Sequence, residues 1–432
     1  MKLSWVNKSI VFILVCYLFA WIIGYQVRHN IISYDVSNYY GYLPAILQYQ
    51  DLRFKFLQKI PEENLQYISI SKNKSPDGKN TRNKMSMGLA YLYLPFYALA
   101  YLTAPIFSPG THSFSNHYGI FILLGGLFYG VIGLWILSKV LRNYFEDKTV
   151  AMLLVSIAFA SNFFNYSVAE GGMSHVYNFF LFSLVLFLTI QYYKRPKLIA
   201  ATILGALLGL IILIRPTNVV VLIPLLLWEI KNIKSIRDRF RFLGQHYIHL
   251  IIAGLTGLLV IIPQLYYWKI ITGSWIYYSY QSEGFNFLSP ELINGIFSYR
   301  KGWLIYTPVM FFALAGFFFL RDTKTKGLIM PVLSFMIINL YVVFSWHSWW
   351  YGGGFGARAL VESYVFLAFP LSAFYKKLLS KPLPFRLCLF ILIVLFSLLN
   401  LFQTYQYARG ILSNDSMTKE VYWDILGKIH PE

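Results

Sequence analysis

The chain has 432 residues with 57% hydrophobic and 13% charged, where soluble domains carry about 25% charged. Apolar runs of roughly 18 or more residues recur from end to end, which excludes a set of soluble domains and marks an all-α, polytopic integral membrane protein. The net charge of +19 does not imply a nucleic-acid partner, because the basic residues sit in short loops between apolar runs, as membrane topology demands.

In chain order, the N-terminus has a basic start and an apolar run over 9–27, with no small-residue cleavage site after it; it reads as an uncleaved anchor. The next stretch, SYDVSNYYGYLPAIL (33–47), holds the first acidic residue, Asp35. If a helix starts there, Asp35 can cap it, and Tyr39 and Tyr42 fall near its face. The functional reading is a carboxylate at the water–lipid boundary that accepts the proton of a hydroxyl or amine nucleophile. The tract 69–84 is polar, with a turn signal at Pro76-Asp77-Gly78, and reads as a mobile loop. The run GLAYLYLPFYALAYLTAPIF (88–107) is apolar, but Pro95 removes a helical hydrogen bond and four tyrosines suit an interface. It is expected to be an interfacial or re-entrant helix. Ten further spans are expected near 118–138, 149–166, 175–193, 198–214, 217–230, 248–267, 303–320, 328–345, 360–375 and 387–404, so about eleven transmembrane helices form a single domain. Its outer first loop is 28–117 and its C-terminal tail 405–432. Both cysteines, Cys16 and Cys388, fall inside apolar runs, so neither a disulfide framework nor a zinc site is expected.

Charge counting decides the orientation. With Lys2 and Lys8, the loops around Lys139–Lys148, Lys194–Lys197, Lys231–Arg241, Arg321–Lys326 and Lys376–Arg386 hold twenty Lys and Arg. The intervening short loops hold only Arg215, Lys269, Arg300, Lys301 and Arg358. If 88–107 does not cross, all the basic loops share the N-terminal side, taken as cytoplasmic. The consequence is an outer loop with nine Lys and Arg, which long loops tolerate.

The polar residues of the outer face then become the candidate site, since ionisable groups at span ends suggest a lined cavity. Glu170 and His175 in YSVAEGGMSHVYNFF could join Asp35 in binding a divalent metal, or His175 could bind phosphate; an ordinary loop carboxylate and interfacial histidine are the plain alternative. Arg358 follows the glycine-rich WWYGGGFGA, where close backbone approach and a bidentate guanidinium suit phosphate. A headgroup-anchoring arginine is the plain alternative, and Trp346, Trp349 and Trp350 form either an interfacial belt or a stacking surface for sugar or lipid. Arg215 lies between two spans and needs either a carboxylate in the bundle or an anionic ligand. Arg300 and Lys301 are expected to snorkel at a span's mouth, with phosphate contact as the sharper option.

These segments resemble the GT-C superfamily of membrane glycosyltransferases, which includes protein O-mannosyltransferases and the aminoarabinose transferase that modifies lipid A. YDVSNYYGYLPAIL is similar to the acidic motif of their first outer loop, although Val36 stands where a second acidic residue is frequent. NKMSMGLAYLYLPFYAL resembles the later part of that loop, with Lys84 matching in position and the proline pair missing. YSVAEGGMSHVYNFFLF, LIRPTNVVVLIPLLLWE and GGFGARAL resemble segments at corresponding spans. The resemblance implies transfer of a sugar from a polyprenyl-phosphate donor to an acceptor on the outer face of the plasma (inner) membrane. Asp35 would be the base, Lys84, His175, Arg300 and Arg358 the donor-phosphate ligands, and Glu170 an acceptor or metal contact; membrane lipid is the other partner. A polysaccharide polymerase or ligase, and a lipid-linked transporter or flippase, are the alternatives. The transporter should show paired inverted repeats, and the sequence shows none.

Overall fold

The computed structural model describes residues 3–25, 31–76, 78 and 80–430. Lys2, the junction 26–30, Asp77 of the expected turn, Lys79 and residues 431–432 lie outside the described residues. Among the described residues the fold is all-helical, with only two isolated bridges, Lys74–Thr81 and Phe285–Trp346.

Seven helices among the described residues are long and apolar enough to cross a membrane, consistent with an integral membrane protein. They are Trp5–Gly24, Gly88–Phe107, Asn116–Leu141, Ser174–Lys194, Tyr247–Thr272, Lys326–Phe344 and Leu383–Ala408. The other expected spans are shorter or broken, and proline accounts for two of the breaks. The expected 217–230 span is a 3₁₀ stretch, Pro216–Val221, followed by a short helix, Leu222–Leu226, with Pro224 inside it. The expected 303–320 span is Trp303–Tyr306 and Met310–Gly316, separated at Pro308. The expected 149–166 span is a 13-residue helix, Asp147–Phe159, and then a π turn, Asn165–Ala169. Gly88–Phe107, expected to be an interfacial or re-entrant helix, is one continuous helix through both Pro95 and Pro105 and is long and apolar enough to cross a membrane.

We label α1 (Trp5–Tyr25), α2 (Tyr34–Tyr40), α3 (Gly88–Phe107), α4 (Asn116–Leu141), α5 (Asp147–Phe159), α6 (Ser174–Lys194), α7 (Leu198–Ile214), α8 (Ile233–Gln245) and α9 (Tyr247–Thr272). α10 (Ile329–Phe344), α11 (Tyr364–Leu379) and α12 (Leu383–Ala408) complete the bundle.

Contacts fix which ends lie together. α1 and α5 run parallel: the Val6 N–H donates to Asp147 Oδ2 at 3.2 Å, and Tyr17 donates to the Ala158 carbonyl at 2.9 Å. The first turn of α1 therefore shares an end with the Arg142–Asp147 loop. Trp228 Nε1 and Glu229 bind Tyr144 at 3.1 and 2.5 Å. Lys231 reaches the Thr323 carbonyl, Lys376 pairs with Asp322, and the Arg239 guanidinium covers the Tyr193 ring at 3.5 Å. The five basic loops and the start of α1 thus meet at one end of the bundle.

The two ends of α3 both lie at the opposite end. A Cβ on Gly88 would meet the backbone of Ile214, the last residue of α7, and Thr103 and Ser108 contact His117 in the first turn of α4.

α7 and α9 pack through small residues, as helices do where backbones must approach closely. A Cβ on Gly205 would sit 2.1 Å from the Ala253 carbonyl oxygen, and one on Gly209 2.5 Å from that of Gly257. Because both obstacles are backbone, Gly205→Ala is expected to separate the two helices and cost about 1–3 kcal/mol, the range for overpacking. A fall in the thermal midpoint of the purified protein measures it, and an unchanged midpoint would contradict this packing.

Candidate functional site

At the end opposite the basic loops, Asp35, Arg358, Arg215, His175 and Glu362 are linked to one another. Ser33 holds the position before α2, so Asp35 sits within the first turn rather than capping it. Its Oδ2 instead accepts from Arg358 Nη2 at 3.1 Å. The Asp35 side chain is 35% exposed and that of Arg358 13%, so the carboxylate reaches solvent while the guanidinium is largely buried. Tyr39, one helical turn on, is buried; burial first and the Asp35 charge second raise its pKa, which keeps its hydroxyl a donor.

Arg358 is delivered by the glycine-rich loop. Tyr166, fully buried, clamps that loop: its hydroxyl donates to the Phe355 carbonyl at 3.0 Å and accepts the Phe355 N–H at 2.8 Å. A Cβ on Gly354 would stand 3.1 Å from both Arg358 Cδ and the Tyr166 hydroxyl, and Gly356 holds φ +60°; the closeness of loop to arginine therefore requires glycine. Arg358 also donates to the Tyr351 carbonyl at 2.7 Å, while its Nε is buried with no hydrogen-bond partner.

Tyr351 joins this pair to a second, deeper cluster, since its ring lies 5.4 Å from the Arg215 guanidinium. Arg215 Nη1 is 3.4 Å from Glu362 Oε1 and 3.0 Å from His175 Nδ1, and that same nitrogen is 3.2 Å from Glu362 Oε2. His175 Nδ1 can serve only one of them: it accepts from Arg215 in one tautomer and donates to Glu362 in the other. At 3% and 2% exposure, His175 and Glu362 are sealed from solvent.

Glu170 accepts from Asn165 Nδ2 at 3.0 Å and from Tyr407 at 2.9 Å, and among the described residues it makes no hydrogen bond or ion pair with Asp35. Lys84 pairs with Glu283 and lies 5.1 Å from the Tyr280 ring. Arg300 covers the Trp350 ring at 3.5 Å and binds Asp415 of the C-terminal tail. The structure thus brings Asp35 and Arg358 into direct contact, links His175 to them through Arg215 and Tyr351, and places Lys84 and Arg300 with carboxylates of their own. Among the described residues, no group of three or more His, Cys, Asp and Glu is arranged to hold a metal ion.

One residue differs from expectation. Lys301 does not snorkel: it is 2% exposed and its ammonium binds the Gly354 carbonyl beneath the arginine loop. Of the two partners expected for Arg215, a bundle carboxylate or an anionic ligand, the structure supplies the carboxylate, Glu362. Tyr166, Tyr351 and Tyr407 were not singled out, and nothing distinguishes them in the sequence from the chain's other tyrosines.

Burial pushes the Lys301 ammonium down to about 7, with Arg358 adding repulsion and Glu170 and Asp415 opposing it. An unfolded lysine titrates near about 10.4, so between those values the unfolded chain binds a proton that the folded chain does not. Stability is therefore full above about pH 10.4 and declines as pH falls toward 7, by of order 1 kcal/mol per unit. Thermal midpoints of wild type and Lys301→Met compared between pH 7 and 10 are expected to show that rise with pH only in the wild type; parallel profiles would refute it.

No known family model matches this chain, and a search of curated proteins finds no match.

Proposed function

We propose that the protein is an inverting glycosyltransferase that moves a sugar from a polyprenyl-phosphate donor to an acceptor at the outer face of the plasma (inner) membrane. The observation that carries this reading is the partly exposed Asp35 carboxylate, held through one oxygen by a buried arginine among further cations. Asp35 takes the acceptor's proton as its oxygen or nitrogen attacks the anomeric carbon, and the bond to the lipid phosphate breaks. Negative charge grows on the leaving phosphate, which preorganised cations stabilise. Arg358 is the nearest such cation; Lys84 and Arg300, 29% and 30% exposed, can exchange their carboxylate partners for phosphate.

The proposed topology has eleven crossings. The short 3₁₀ and helical stretch after Arg215 returns the chain from the site end to Trp228 at the basic end, and α3 stays at the site end. That arrangement is supported by the basic loops and the start of α1 sharing one end, which the positive-inside rule assigns to the cytoplasm. Purified protein incubated with labelled polyprenyl-phosphate sugars and candidate acceptors tests the reading; donor consumption with an inverted product supports it. No consumption of any such donor in membranes from the native cell would overturn it.

A further inference from the structure

The outer first loop carries nine Lys and Arg, more than its share on a translocated face. Some of these charges are accounted for: Lys84 by Glu283, and Arg82 by the carbonyls of Ser279 and Lys74 and the Tyr277 ring. Arg53 and Lys55 are not. Among the described residues neither side chain has an ion pair or a hydrogen bond, and both are exposed.

A tight turn sets the two side by side. The Asp51 carboxylate accepts the backbone N–H groups of Arg53 and Phe56, each at 3.0 Å, so this acid is spent on backbone. Phe54 between the two cations adopts φ +57°, a left-handed conformation that costs a non-glycine residue energy. Its ring is buried against Tyr42 and Tyr267, at 6.2 and 6.3 Å, and this packing leaves the flanking Arg53 and Lys55 exposed to solvent.

Both cations line a cavity of about 560 Å³ whose other wall is the last turn of α9, Lys269 to Gly273, with Asn80 beside it. Lys269 Nζ caps the Gly273 carbonyl at 2.7 Å, which offsets the negative end of that helix. Its described lining thus holds three cations and an amide, and no carboxylate. Because α9 is long enough to cross the bilayer, its terminal turn lies at headgroup height.

We propose that this cavity is a phosphate-binding site, taking a phosphate ester from a lipid headgroup or from a soluble phosphoester. Arg53 supplies a bidentate contact, and Lys55 and Lys269 neutralise the remaining charge. The site shares no residue with the Asp35 group, so it stands or falls apart from the proposed transferase activity.

The test uses the full chain in nanodiscs. Inorganic phosphate binding is titrated calorimetrically against chloride at matched ionic strength, and native mass spectrometry counts phosphatidylglycerol retained after release. The expected result is saturable phosphate binding, weakened at least tenfold in R53A/K55A/K269A and unchanged in K72A, an exposed outer-loop lysine away from the cavity. Retained phosphatidylglycerol that inorganic phosphate displaces assigns the site to a lipid headgroup; phosphate binding without retained lipid assigns it to a soluble phosphoester. Equal phosphate binding by the triple variant, or equal competition by chloride, would overturn the proposal. A thermal midpoint of the triple variant matching wild type establishes that it is folded.

Discussion

Glu362→Ala is expected to destabilise the protein by about 3–5 kcal/mol, the cost of removing one member of a buried ion pair. Glu362 is 2% exposed and is the partner of both Arg215 and His175. Arg215 cannot lose its proton to escape the low-dielectric site, so without Glu362 its charge stays buried and uncompensated. The loss has a wider effect than one contact, because Arg215 also lies against Tyr351, whose carbonyl positions Arg358. Burying a charge pair is itself expensive, and replacing both partners by apolar side chains of similar volume is frequently close to neutral. The double variant Arg215→Met/Glu362→Leu is therefore expected to recover most of the stability lost in Glu362→Ala. Thermal midpoints of the two variants and wild type decide the matter. If the double variant is no more stable than Glu362→Ala, the two residues are not coupled and the cluster is misassigned.

Asp35→Asn is expected to lower transfer about 10²–10⁴-fold, the usual contribution of a general base, with the protein still folded in the membrane. Asparagine keeps the shape of the side chain and an oxygen for Arg358, but cannot take the acceptor's proton. Donor binding should persist, because the cations around the site are untouched. The diagnostic result is therefore a fall in kcat with little change in KM for the donor. Transfer at the wild-type rate would remove Asp35 from the catalytic role. An equal loss of donor binding would recast it as a positioning residue for Arg358, to which it is bonded at 3.1 Å.

Local pattern carried much of this protein. Long apolar runs made it helical and membrane-seeking, because a backbone in lipid must satisfy its own hydrogen bonds. The scarcity of carboxylates made Asp35 conspicuous, and the glycines before Arg358 marked a loop of close approach. Hydropathy counted eleven spans, of which six are helices of full length among the described residues, since it does not register how prolines such as Pro216 and Pro308 shorten a helix.

What remained was decided by tertiary structure. Arg358 and Asp35 lie 323 positions apart, and Arg215 and Glu362 147 apart. No local spacing encodes such partners; they meet because parallel helices bring the ends of distant segments to one face of the bundle. Lys301 illustrates the limit most sharply. Its position at the mouth of a span suited an exposed ammonium, yet the arginine loop folds over it and removes its water. A residue's type and place in a run determined that these charges would gather at a span end, and only packing determined which were buried, which were paired, and which carboxylates stayed open to solvent.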